Sequence, residues 1–88
     1  MELLDYRRRI DEIDEEIMRF FVERMDISRQ IACYKKEHSL PALDTAREQE
    51  KLAEICEKAG KELSPYAHTL YLTVFKLSRD YQEVILNL

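Results

Sequence analysis

The chain has 88 residues, a formal net charge of −4, 45% hydrophobic and 36% charged residues, one Gly and two Pro. That describes a single small domain of helical composition with a limited core of its own, and the acidic balance argues against a general nucleic-acid binder despite the short run Arg7-Arg8-Arg9. No apolar leader follows Met1 and no stretch approaches the roughly 18 apolar residues of a membrane span, so a cytoplasmic protein is expected.

Pro41, Gly60 and Pro65 divide the chain into three periodic stretches, which predicts three helices over about 3–37, 45–60 and 65–86. In the first, Leu3, Tyr6, Ile10, Ile13, Ile17, Phe20, Arg24, Ile27, Ile31 and Tyr34 recur at intervals of three and four, an apolar seam broken only by Arg24. The residue before a proline avoids the α region, so His38-Ser39-Leu40-Pro41 should stop this helix. At 1.5 Å per residue it would be roughly 50 Å long, far beyond a compact globule of this size, with a radius of gyration near ~12 Å. A protruding apolar seam needs a partner, and the simplest is a second copy in a symmetric dimer.

The second helix should open at Asp44 or Thr45, where Thr45-Ala46-Arg47-Glu48 fits a capping box. Its apolar face would be Leu52, Ile55, Cys56 and Ala59, with Gly60 closing it. The third should start with Ser64 as N-cap and Pro65 at the first helical position. Its stripe is Ala67, Tyr71, Val74, Ser78, Tyr81, Ile85 and Leu88, with Ser78 the polar interruption and Gln82 one turn further along the same side.

The polar interruptions point to a site. A guanidinium in a packing seam cannot shed its charge and is costly to desolvate unless an anion or acceptors meet it; the competing role for Arg24 is to fix the register of a coiled coil. Lys35, eleven residues later, projects from nearly the same face roughly 16 Å away, which suits a small ligand with two separated anionic groups. Arg7 lies about 25 Å from Arg24 and is rotated by roughly 100°, so it could reach such a ligand only from another chain. Taken singly, Arg7 and Lys35 also fit solvated surface residues, Glu48 fits the capping box, and Ser78 with Gln82 fits a tolerated polar pair at a helix interface. Cys33 and Cys56 have no CxxC spacing or clustered His, so neither a disulfide framework nor a zinc site is suggested. His38 and His68 have no triad partners, and a single Gly excludes a glycine-rich phosphate loop. An enzyme built this way would work by binding, orientation and electrostatics.

The series Arg7-x-x-Ile10-x-x-Ile13-Asp14, Glu23-Arg24-Met25, Lys35, Leu40-Pro41-x-x-Asp44-x-x-Arg47-Glu48 and Ser78-x-x-x-Gln82 resembles the AroQ class of chorismate mutases from about Leu4 to Gln82. The resemblance implies an all-α, intertwined homodimeric helical bundle with shared active sites. It also implies conversion of chorismate to prephenate, without cofactor or metal, in phenylalanine and tyrosine biosynthesis. By analogy with the family, Lys35 and Gln82 are the catalytic donors to the ether oxygen. Arg7 from the partner protomer, Arg24 and Arg47 hold the carboxylates, Ser78 helps hold the substrate, and Asp44 and Glu48 lie near the ring hydroxyl. With only six residues after Gln82, a monofunctional mutase without its own allosteric module is expected. Two other readings are an isochorismate-pyruvate lyase on the same fold, against which the Asp44-x-x-Arg47-Glu48 element weighs, and a non-catalytic helical dimerisation module.

Overall fold

The computed structural model describes all 88 residues and is entirely helical. Helix α1 spans Leu3–Glu37 and helix α2 spans Thr45–Leu86; α2 covers the second half of α1, from Phe21 onward, and the first half projects from it, giving a flat, elongated body of 54 × 26 × 14 Å. Its radius of gyration of 16.1 Å exceeds the ~12 Å of a compact chain of this length, because α1 alone reaches roughly 50 Å.

Two helical elements stand where three were expected. Residues 61–64 are helical, Ser64 caps nothing, and Pro65 lies inside α2, where its missing N–H removes one backbone hydrogen bond. The break is confined to Gly60, whose φ of 84° and ψ of 165° bend the chain before helical geometry resumes at once. No atom lies within 4 Å of where a Cβ would be, so glycine is required there for its backbone angles and not for space.

The turn ending α1 is a Schellman motif. The Leu40 N–H donates to the Lys35 carbonyl at 2.8 Å and the Ser39 N–H to the Lys36 carbonyl at 3.4 Å. Its left-handed position, usually glycine, is Ser39 at φ 53°. These two positions predict opposite effects: Gly60→Ala should lower the unfolding free energy by about 1–2 kcal/mol, whereas Ser39→Gly should leave it unchanged or raise it by about 0.5 kcal/mol. Denaturant midpoints at constant slope would measure both.

Helix α2 begins differently from the expected capping box. Asp44, not Thr45, is the N-cap, its Oδ1 accepting from the Arg47 N–H at 3.0 Å. The Glu48 side chain does not return to the cap; it is drawn across to Arg79 instead. An ionic partner on the last third of α2 thus displaces a local bond that would be solvated at a helix start.

Packing divides α1 into two faces. Toward α2 it presents Phe21, Arg24, Met25, Ser28, Ala32 and Lys35, with Ser28 and Ala32 buried; these small side chains let α2 approach closely. Arg24 therefore belongs to this intrachain stripe as well as to the apolar seam. The nine apolar seam residues remain 38–63% exposed, and only 6 of the 88 residues are buried, so one chain does not complete a core around α1. The stripes expected along the second and third stretches do turn inward: Leu52, Ile55, Cys56 and Ala59, then Ala67, Tyr71, Val74, Ser78, Tyr81 and Ile85 are at least half-buried, whereas Leu88 is exposed.

Candidate functional site

A cavity of about 510 Å³ opens between α1, the 38–44 turn and both halves of α2, within the size range of small-ligand sites. Of the eight candidate residues, Arg24, Lys35, Asp44, Arg47, Glu48, Ser78 and Gln82 line it, and Arg7 does not. Arg7 is exposed on α1, roughly 25 Å along the helix from Arg24.

The donors are directed by the groups behind them. The Lys35 ammonium donates to the Ala42 carbonyl at 2.7 Å and to the Gln82 Oε1 at 3.0 Å. An ammonium has three protons and no acceptor, so one proton remains for a ligand. The amide of buried Gln82, with its oxygen engaged by Lys35, keeps its NH2 group as donor. The Schellman turn makes this arrangement possible by folding the chain back within five residues, so that the carbonyl of buried Ala42 meets the Lys35 Nζ.

At the other end of the cavity, Arg24 Nη1 donates to the Ser78 Oγ, which is 3.1 Å from the Ser28 Oγ. Because Arg24 can only donate, Ser78 accepts from it and can donate its own O–H to Ser28 or to a ligand. Ser28, one turn after Arg24, is only 4% exposed and is a site residue that the apolar periodicity does not mark. Its signal lay in the spacing of Arg24, Ser28, Ala32 and Lys35, a four-four-three series of polar and small residues offset from the apolar seam.

Five cations, Arg24, Lys35, Arg47, Lys51 and Arg79, face two carboxylates, Asp44 and Glu48, so the lining is formally +3 on a chain of net −4. Glu48 is paired with Arg79, and Lys51 lies 3.5 Å from Glu54, but no carboxylate oxygen is within 4 Å of the charged nitrogens of Arg24, Lys35 or Arg47. This is an anion-binding field with two ends. Ile27, Ile31 and Phe75 supply apolar wall between the ends. The carboxyls held below their usual range, Asp26 by hydrogen bonds from Arg29 and Gln30 and Glu54 chiefly by one from Lys58, do not line the cavity. No group of three or more His, Cys, Asp or Glu is placed to hold a metal ion, both cysteines are free, and no helix is long and apolar enough to cross a membrane.

A helical scaffold presenting fixed donors and cations free of carboxylate partners to a small cavity with an apolar wall gives a site suited to binding a small anion and orienting it. The family model for chorismate mutase type II matches residues 6–83, and the chain belongs to that family of isomerases. Neither the curated proteins nor the solved structures contain a significant match to the chain.

Proposed function

We propose that the protein converts chorismate to prephenate by a [3,3] rearrangement, the committed step toward phenylalanine and tyrosine, and that it does so in the cytoplasm as a homodimer with shared active sites. The observation that carries this reading is the Lys35–Gln82 pair, in which the ammonium donates to the amide oxygen at 3.0 Å and both groups keep donor protons, in a cavity that Arg24 and Arg47 also line.

Chorismate is a dicarboxylate whose enolpyruvyl side chain must fold over the ring. Arg24 with Ser78 takes one carboxylate, and Arg47 with Arg7 of the partner subunit takes part in holding and orienting the dianion. Asp44 and Glu48 accept from the ring hydroxyl; Asp44 keeps Oδ2 free after capping α2, and each Glu48 oxygen retains a lone pair beside its bond to Arg79. Clamping both ends of the substrate converts a rare folded conformer into the bound one, which lowers the entropic part of the barrier. In the chair-like transition state C–O cleavage runs ahead of C–C bond formation, so negative charge develops on the ether oxygen. Lys35 and Gln82 meet that charge, stabilising the transition state more than the substrate. The rearrangement transfers no electrons and consumes no co-reactant.

The homodimer follows from the exposed seam. Leu3, Tyr6, Ile10, Ile13, Ile17 and Phe20 form a continuous apolar row along the first half of α1 with no intrachain partner. Packing it against a second copy removes that row from water at roughly 25 cal/mol per Å² and brings a foreign Arg7 to the far half of the other chain's α1.

Incubating the purified protein with chorismate should abolish the substrate's ultraviolet absorbance and yield prephenate as product. Pyruvate released from isochorismate, with no prephenate formed from chorismate, would replace this reading with the lyase.

A further inference from the structure

Arg79 holds a position that the rearrangement just described leaves without a task. It stands one residue after Ser78 and three before Gln82 on α2, and its Nη1 donates to both Glu48 oxygens within 2.6 Å, joining the first turn of α2 to its last third across the Gly60 bend. Both side chains are largely shielded, at 31% and 24% exposure. Together with Phe75 they form the wall shared by the main cavity and a smaller one of about 250 Å³ on the far side.

The electrostatic problem solved at this wall is specific. Glu48 is one of two carboxylates in a cavity otherwise furnished for an anion, and an unopposed carboxylate there would repel a dianion while its side chain swung among rotamers. A lysine could cancel the charge with a freely rotating head, whereas the planar guanidinium, its Nη1 set against both oxygens, also fixes the direction of the carboxylate. We propose that Arg79 is a positioning residue: it neutralises and orients Glu48, so that a carboxylate can accept from the substrate's hydroxyl inside a site for a dicarboxylate. This rests on the mutase reading above.

The test is a double-mutant cycle of Arg79→Gln and Glu48→Gln, with KM and kcat for chorismate measured in the full-length protein. With Glu48 present, Arg79→Gln should raise KM about tenfold, and the increase should shrink as ionic strength is raised, as expected of screened repulsion. In the Glu48→Gln background, where no charge needs cancelling, the same substitution should change KM less than about twofold. Arg79→Lys should recover part of the KM but not the full kcat, since it restores charge without the planar head that sets the carboxylate's direction; it also serves should Arg79→Gln fail to fold, as judged by thermal melting. An equal KM increase in both backgrounds would mean that Arg79 touches the substrate itself or only supports the fold, and no increase in either would remove it from the site. Each result overturns the proposal while leaving chorismate turnover by the unmodified protein intact. Absence of that turnover would instead defeat the mutase reading, and this proposal with it.

Discussion

Lys35→Ala is expected to lower kcat for chorismate by about 10²–10³-fold, with a smaller effect on KM, the signature of a contact that strengthens as charge develops. The loss corresponds to about 3–4 kcal/mol of transition-state stabilisation. Two features of the site set the size of this effect. Lys35 has no carboxylate within 4 Å, so its charge is not spent on the protein. Two of its protons are fixed by the Ala42 carbonyl and Gln82 Oε1, which aims the third without reorganisation at the moment of reaction. The same substitution releases Gln82, so Lys35→Ala and Gln82→Ala should be strongly non-additive, the double variant being little worse than the worse single one.

Gln82→Glu tests the neutral donor separately. A carboxylate at that position would pair with the Lys35 ammonium and have no proton to give the ether oxygen, so activity near neutral pH should fall. Protonating the introduced carboxyl restores a donor, so activity should recover as pH is lowered. The unmodified protein, with no ionisable group at position 82, should show no such acid requirement. A flat pH profile for Gln82→Glu, or kcat within threefold of the unmodified value for Lys35→Ala, would remove this pair from the reaction. Circular dichroism melts of both variants separate loss of chemistry from loss of fold.

Much of this site was legible in the sequence because its residues violate the period around them. Ser78 interrupts an otherwise inward-facing stripe on α2, and Arg24 interrupts the seam of α1; a helix places such exceptions on a defined face whatever the details of packing. Pro41 likewise marks the end of α1 within a few residues, and that end creates the Ala42 carbonyl contact. What was not legible depends on residues distant in sequence. The bond from Arg79 to Glu48 spans 31 positions, and without it the local capping box is the natural expectation for Glu48. Ser28 looks like an ordinary polar helix residue until α2 brings the Ser78 hydroxyl against it from 50 positions away. In the sequence Gly60 and Pro65 look like two separate breaks, but a single residue at φ 84° absorbs the whole bend and allows helix on both sides. Arg24 belongs to both patterns. The period assigns it to the seam, whereas packing shows that it stands where the seam meets the face toward α2, which is why it can serve a cavity formed with α2.

Arg7 is the candidate residue that the chain's own fold leaves outside the cavity, and mixed dimers of two inactive variants give the sharpest result for it. Arg7→Ala and Lys35→Ala homodimers should each be nearly silent, because every pocket lacks one group. In a mixed dimer, one pocket combines the intact Arg7 of the Lys35→Ala chain with the intact Lys35 of the Arg7→Ala chain, and the other pocket lacks both. Random reassortment of equal amounts makes about half of the dimers mixed, each with one complete pocket of two, so activity should return to about a quarter of the unmodified value. No arrangement in which Arg7 serves its own chain's pocket gives that recovery, since every pocket then carries one lesion whatever its partner. Persistent silence after subunit exchange, shown by mass spectrometry of differently tagged chains, would rule out the crossing of Arg7. A single monomeric species at assay concentrations would go further, because the apolar row from Leu3 to Phe20 would then need some other cover. The expected outcome ties the two unfinished features of the single chain together: the seam that lacks an apolar partner and the pocket that lacks an arginine are completed by one and the same second helix.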